Sequence, residues 1–88
     1  MNTAEAVSLI EIDQEASQEK IVRAFQELIN NGMAWKLQGS YGRQAMEYLR
    51  AGLCELGKTR FKDYYGNTVP SRYDVKPGTI GAPLNTRK

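Results

Sequence analysis

The sequence predicts a small all-α domain followed by an extended basic C-terminal tail. Apolar residues recur at helical spacing in three stretches, glycines stand where those stretches end, and all three prolines lie after residue 65. The chain of 88 residues is long enough for one domain. We therefore predict a helical domain over residues 1–56 and a basic, aromatic tail over residues 57–88.

Two helices are predicted in the first third of the chain. The first covers residues 3–12, with Thr3 as its N-cap. The second covers residues 18–30, where Ser17 is suited to cap the start and Gly32 to end the helix in a left-handed conformation. Its apolar residues have the spacing of an amphipathic helix that faces a core. They are Ile21, Val22, Phe25, Leu28 and Ile29.

A third main helix is predicted over residues 41–52, after a short helical turn over residues 33–38. Ser40 is its candidate N-cap, and Gly52 stands where a C-terminal cap belongs. Helices of this length are marginal alone in water, so each is expected to bury an apolar face. The predicted core consists of Leu9, Ile10, Ile21, Val22, Phe25, Leu28, Ile29, Trp35, Leu37, Ala45, Tyr48, Leu49 and Leu53.

The predicted tail differs from the helical part in charge and composition. Residues 1–56 carry five Lys/Arg and eight Asp/Glu, a net charge of −3, whereas residues 57–88 carry seven Lys/Arg and two Asp, a net charge of +5. Prolines exclude a long helix in the tail, and turns are predicted at Gly66-Asn67 and Pro77-Gly78. Such a tail has two interpretations: it contacts an acidic partner, or its charges keep it soluble.

The side chains that enzymes and metal sites most need are scarce. The chain has no histidine and one cysteine, Cys54, so the sequence predicts neither an activated nucleophile nor a zinc site. Residues 39–43, Gly-Ser-Tyr-Gly-Arg, suit either a phosphate-binding loop or a glycine-bounded turn between helices. Because no Gly-Lys-Ser/Thr follows, we favour the turn. We expect a protein that is not an enzyme and uses no cofactor or metal.

Aromatic and basic residues are the candidates for contact with a partner, because Trp, Tyr and Arg dominate interface hot spots. We expect no membrane partner, since no apolar run approaches the ~20 residues that span a bilayer. A protein partner is predicted, and nucleic acid is the alternative because interleaved cations and aromatic rings suit phosphates and bases. For Tyr41 a place in the core is the other interpretation. The candidate partner-binding residues are Tyr41, Arg43, Lys58, Arg60, Phe61, Lys62, Tyr64, Tyr65, Arg72 and Tyr73.

One stretch of the sequence resembles a known family. Residues 32–43 read Gly-Met-Ala-Trp-Lys-Leu-Gln-Gly-Ser-Tyr-Gly-Arg, and residues 51–53 read Ala-Gly-Leu. This pattern resembles a small domain of unknown function that is encoded in many tailed bacteriophage genomes. In that domain a helix ending in glycine precedes the motif Ala-Trp-x-Leu-Gln-Gly-x-Tyr-Gly-Arg. The resemblance covers residues 18–54 and leaves the predicted tail uncovered.

The resemblance implies a phage accessory protein that acts in the cytoplasm of the bacterial host or is associated with the virion. Small phage proteins of this kind often bind and redirect a host protein, so the expected role is host takeover through a host or phage protein. Residues 58–73 are the expected contact segment, because their aromatic and basic side chains have no core of their own.

Overall fold

Three α-helices and a two-stranded antiparallel sheet form the protein in the computed structural model, which describes residues 1–13, 15–37 and 39–86. The three predicted helices are confirmed, but the all-α class is wrong because the predicted tail contains two strands. Residue 38 of the predicted helical turn and residues 87–88 of the tail lie outside the described residues. The elements are α1 (Thr3–Glu11), α2 (Gln18–Asn30), a 3₁₀ helix (Met33–Trp35), α3 (Gly39–Arg50), β1 (Phe61–Lys62), β2 (Thr68–Val69) and a closing 3₁₀ helix (Leu84–Thr86).

Polar side chains cap the first two helices. The prediction that Thr3 caps α1 is wrong, because Asn2 does so: its side chain accepts a hydrogen bond from the Glu5 backbone N–H (2.8 Å). The Glu5 carboxylate accepts one in return from the Asn2 N–H, which completes a capping box. Ser17 caps α2 as predicted, and its Oγ accepts from the Lys20 backbone N–H (3.3 Å).

Glycines end α2 and α3 as predicted. Gly32 (φ 82°) and Gly52 (φ 76°) both adopt the left-handed conformation that favours glycine. After Gly52 the chain leaves the helical path, and the backbone N–H groups of Leu53 and Cys54 donate to the Tyr48 carbonyl oxygen (2.9 and 3.2 Å). This turn buries Cys54 and leaves Leu53 44% exposed, so the prediction that Leu53 belongs to the core is wrong.

The core lies between the three helices. α1 packs along α2, and the 3₁₀ helix joins α2 to α3. Phe25 on α2 meets Tyr48 on α3 edge to face, with ring centroids 5.3 Å apart, a favourable aromatic geometry. The other predicted core residues are buried or half-buried. The buried apolar residues are Ala6, Ala24, Phe25, Leu28, Ile29, Ala34, Tyr41, Ala45, Leu49, Cys54, Leu56 and Ala82.

The chain from residue 54 to residue 86, here called the C-terminal segment, contains a short hairpin. β1 and β2 pair with Phe61 opposite Val69 and Lys62 opposite Thr68. Turns at the predicted positions 66–67 and 77–78 are confirmed, with positive φ at Gly66 (83°) and Gly78 (85°). The predicted extended tail is therefore a folded segment over its described part.

Several hydrogen bonds fasten the C-terminal segment to the helices. The Gln26 side chain on α2 donates to the Glu55 carbonyl oxygen (2.9 Å) and accepts from the Glu55 backbone N–H (2.8 Å). The Tyr64 N–H in the hairpin turn donates to the Trp35 carbonyl oxygen (3.0 Å). These bonds place the hairpin beside α3, with an open space between them.

Candidate functional site

A groove of about 980 Å³ separates α3 from the C-terminal segment. One wall is α3, the other is the hairpin with residues 75–81, and the 3₁₀ helix with the residues after it closes one end. We call this space the α3–hairpin groove. Its apolar lining includes Trp35, Leu37, Met46, Leu49, Leu56, Val69, Val75 and Ile80.

The α3 wall exists because the helix has two apolar faces. Tyr41 and Ala45 point into the core and are buried, and the buried Leu49 contacts both the core and the groove. Gly42 and Met46, one residue further along, line the groove instead. A Cβ on Gly42 would lie 3.7 Å from the Ala34 carbonyl oxygen, an ordinary van der Waals contact, so α3 passes beside the 3₁₀ helix at normal packing distance. The half-buried Met46 therefore has its thioether chain available to the groove.

The hairpin wall is held by one carboxylate. Asp63 Oδ1 accepts hydrogen bonds from the backbone N–H groups of Tyr65 and Asn67 (both 2.9 Å), and the Asp63 N–H donates to the Asn67 carbonyl oxygen (2.9 Å). This turn presents Tyr64 and Tyr65 at the mouth of the groove, 76% and 84% exposed. Their rings meet edge to face with centroids 5.4 Å apart. Two large aromatic side chains thus stand in solvent on an ordered turn.

The charged residues of the groove leave a positive excess. Three cations line it, Lys36, Arg43 and Arg50, together with the carboxylates of Glu47 and Asp63. Glu47 forms an ion pair with Arg50 (3.3 Å), and Asp63 is occupied by the hairpin turn. Lys36 and Arg43 have no ion-pair partner among the described residues. The edge of the groove therefore carries two cations available to an incoming group.

Most of the helical part of the chain matches one known protein family. Residues 5–61 match DUF7417, described as a domain of unknown function. The chain belongs to the DUF7417 family. No match is found among curated proteins or among solved structures. The DUF7417 match includes α2 and α3, hence the α3 wall of the groove, whereas Tyr64 and Tyr65 lie beyond it.

The groove brings together three of the candidate partner-binding residues of this DUF7417 chain. Arg43 from α3 and Tyr64 and Tyr65 from the hairpin all line it, although they are some twenty residues apart in sequence. Four further candidates are exposed but do not line the groove. They are Lys58, Arg60, Lys62 and Tyr73.

Tyr41 lies in the core and not at a partner-binding surface, so the second of its two interpretations is confirmed. It is 7% exposed, its ring lies 5.9 Å from that of Phe25, and its hydroxyl donates to the Glu11 carboxylate. Burial, together with the hydrogen bond and negative charge of Glu11, raises the pKa of Tyr41 to about 12. Its position fastens α1 to α3 and does not present the ring to a partner.

Arg72 is an internal anchor of the C-terminal segment. Its guanidinium pairs with the Glu55 carboxylate and donates to the Leu56 carbonyl oxygen (2.7 Å) and the Asn30 side chain (3.2 Å). The side chains of Arg72 and Glu55 are 12% and 19% exposed. Sequence reasoning named Arg72 as a contact residue because its carboxylate partner lies 17 positions away and is not visible as a local pattern.

Arg60 and Phe61 also make internal contacts. Arg60 donates twice to the Asp74 carboxylate (2.8 and 2.9 Å), and this ion pair lowers the pKa of Asp74 well below its usual range. Phe61 is half-buried, and its ring lies against Gly32, where a Cβ would approach Phe61 Cγ to 2.7 Å. On the hairpin, Lys62, Tyr64 and Tyr65 therefore remain as candidate partner-binding residues.

The apolar lining of the groove is not apparent from the sequence. No prediction concerns Met46, and Trp35 and Leu37, predicted to lie in the core, are packed half-buried against it. One signal was present: Met46 falls one position after Ala45, outside the core stripe of α3. An apolar residue beside the main stripe widens the apolar face of a helix, but the sequence alone does not show whether another segment covers it.

The described residues contain few features of a catalytic or metal site. Among them, no group of three or more His, Cys, Asp or Glu is placed to hold a metal ion, and none of their helices is long and apolar enough to cross a bilayer. Burial and then the charge of Glu55 raise the pKa of the Cys54 thiol to about 11, which disfavours the reactive thiolate. Gly39 and Ser40 lie in the first turn of α3, so the predictions of a loop or turn there, and of Ser40 as the N-cap, are wrong.

Proposed function

We propose that this protein is a non-enzymatic interaction protein that binds another protein in the α3–hairpin groove. The observation that carries the proposal is the combination of an apolar groove with two exposed tyrosines at its mouth. Tyr64 and Tyr65 are large, amphipathic and held on an ordered turn, which lowers the entropy lost on binding. Beside them, Trp35 and Met46 supply apolar surface for a partner to cover.

The proposed setting is that of a phage accessory protein which modulates a host or phage protein. It would act in the cytoplasm of the bacterial host or in association with the virion. The support for this setting is the resemblance of residues 32–53 to a domain of tailed bacteriophages, which concerns the sequence and not the groove.

Site-specific photocrosslinking in bacterial cells tests the proposal. A photoreactive phenylalanine analogue replaces Tyr64, which lines the groove, and in a matched variant replaces Arg23 on the solvent face of α2. We expect the Tyr64 variant to crosslink to a defined protein that mass spectrometry identifies, and the Arg23 variant to give no such product. Equal crosslinking from both positions, or no product from either, contradicts the proposal.

Nucleic acid binding is the second candidate, and one observation favours it. The exposed tyrosine pair follows Lys62 closely, and the bases of a single strand can stack on exposed aromatic rings while a nearby cation meets its phosphates. The ion pairs of Arg60 with Asp74 and Arg72 with Glu55 weigh against it, because they already neutralise two cations of the segment. A fluorescent oligonucleotide would distinguish the candidates: binding to phosphates weakens steeply as salt rises.

A further inference from the structure

We infer that the occupant of the α3–hairpin groove is an amphipathic helix with acidic residues beside its apolar face. The inference rests on the proposed function, because it names the class of protein segment that the groove would hold. It follows from the charges that the groove leaves unpaired, the kind of apolar surface it offers and the shortness of its strands.

The charges of the groove select an acidic occupant. Asp63 Oδ1 already accepts two backbone hydrogen bonds and Glu47 is paired with Arg50, so both carboxylates of the groove are at least partly engaged. Lys36 and Arg43 are exposed at the groove without a carboxylate from the described residues. Complementary charge across an interface raises the association rate and disfavours partners of the wrong sign. Glutamate or aspartate on the occupant would therefore meet these two cations.

The apolar lining suits side chains presented by a helix. Met46 lines the groove from α3, and Val75 and Ile80 line it from the C-terminal segment, so apolar side chains face an occupant from two walls. Methionine adapts its unbranched chain to different shapes, a property shared by many surfaces that bind helices. A helix docks in such a groove with apolar residues at i, i+3, i+4 and i+7, all on one face.

An added strand is a poor occupant, although the hairpin lines the groove. β2 has two residues, Thr68 and Val69, and Pro70 follows immediately. Binding by strand addition depends on a row of backbone hydrogen bonds, and proline has no N–H to donate. The hairpin edge therefore offers an extended peptide too few main-chain partners, and the groove depends on packing of side chains.

Three synthetic peptides test the inference on the full chain. Each has about 18 residues, roughly 27 Å of helix, and contains neither tryptophan nor tyrosine. The first carries leucines at helical spacing between flanking glutamates. The second replaces the glutamates with lysines, and the third has the composition of the first in an order without helical spacing. Trp35, the only tryptophan of the chain, lines the groove, so its fluorescence reports binding.

We expect the glutamate peptide to bind with a Kd on the order of 10 μM and the other two at least about tenfold more weakly. In the double variant Lys36→Glu with Arg43→Glu, the preference should reverse toward the lysine peptide. The matched variant Lys20→Glu, on the exposed start of α2, should keep the original preference. Both changes affect exposed side chains, and circular dichroism would verify that each variant is folded.

Each other outcome overturns a stated part of the inference. Equal binding of the glutamate and lysine peptides overturns the acidic occupant, and equal binding of the ordered and reordered peptides overturns the helical one. If no peptide binds while Tyr64 still crosslinks to a cellular protein, the helix is the wrong class and the proposed function stands. If no peptide binds and no crosslink forms, both are wrong.

Discussion

The helical part of the molecule, residues 3–50, and the C-terminal segment are held in place by different kinds of contact. Buried apolar side chains such as Leu28 and Leu49 hold the helices together. The C-terminal segment buries few large side chains and depends on polar anchors, chiefly Arg72 with Glu55 and Gln26 with the Glu55 backbone. Stability therefore lies mainly in the helical part, whereas the position of the groove's second wall depends on a few hydrogen bonds.

The largest effect is expected in the helical part. Leu28, near the C-terminal end of α2, is fully buried, so Leu28→Ala loses apolar burial and leaves a cavity. We expect the free energy of unfolding to fall by about 4 kcal/mol, measured by urea denaturation followed by circular dichroism. The matched variant Leu53→Ala, at an exposed leucine, should change it by less than about 0.5 kcal/mol. Similar losses in the two variants would contradict the division between core and surface.

The second-largest effect is expected at Arg72, the main polar anchor of the C-terminal segment. Arg72→Ala leaves the Glu55 carboxylate largely buried without its cation, a change that we expect to destabilise the protein by about 3 kcal/mol. Because the loss is local to the C-terminal segment, hydrogen exchange should show the Tyr64 amide losing protection while amides of α2 remain protected.

Arg60→Ala is the matched control for this anchor. It removes the same side chain and also breaks an ion pair, but Arg60 is 69% exposed and solvent screens its attraction to Asp74. Its unfolding midpoint should shift much less than that of Arg72→Ala. If the two arginine variants lose equal stability, the C-terminal segment is not held by a few buried anchors.

The same division explains how much of the fold could be predicted from the sequence. The α2 stripe, the Ser17 cap and the glycine stops depend on residues a few positions apart, so local patterns revealed them. The hairpin has two-residue strands, too short for an alternating pattern to appear. Extending the α3 stripe predicts Leu53 in the core, but the left-handed Gly52 ends the helix before that position.

The candidate site was predictable in part for a related reason. Aromatic and basic residue types pointed to Arg43, Tyr64 and Tyr65, which the fold brings to one groove. The same residue types pointed equally to Arg72, whose carboxylate partner is far along the chain. Composition identifies side chains that are able to bind a partner, whereas long-range pairing decides which of them are already occupied.

A smaller effect is expected where the hairpin meets the helices at Gly32. Gly32→Ala forces an alanine into a left-handed conformation and pushes its Cβ into the Phe61 ring. Gly66→Ala imposes the same backbone strain, with φ of +83° against +82°, but its Cβ meets nothing within 4 Å. We expect losses of about 2 and about 1 kcal/mol in thermal or urea unfolding. Equal losses would show that the Phe61 contact relaxes without cost.

The smallest effect concerns pH and the contact of α1 with α3. Folding raises the pKa of Tyr41 from its ordinary value of 10.0 to about 12, mainly through burial and then through Glu11. The folded protein therefore holds the phenol proton more tightly than the unfolded chain. The stabilisation that comes from this retained proton is fully present below pH 10 and is lost as the pH rises toward about 12. We expect the free energy of unfolding to fall with pH across this window.

The variant Tyr41→Phe isolates this contribution, because phenylalanine keeps the ring and removes the proton. Burial raises the pKa of the Cys54 thiol to about 11, so this group also makes the free energy of unfolding fall as the pH rises. That contribution is the same in the wild type and in Tyr41→Phe. Between pH 10 and about 12 the wild type should lose stability faster than Tyr41→Phe, while Tyr73→Phe, at an exposed ring, should follow the wild type. Ultraviolet titration of tyrosinate should also lose its highest-pH step in Tyr41→Phe alone. Identical slopes in all three proteins would mean that Tyr41 is not sheltered between α1 and α3.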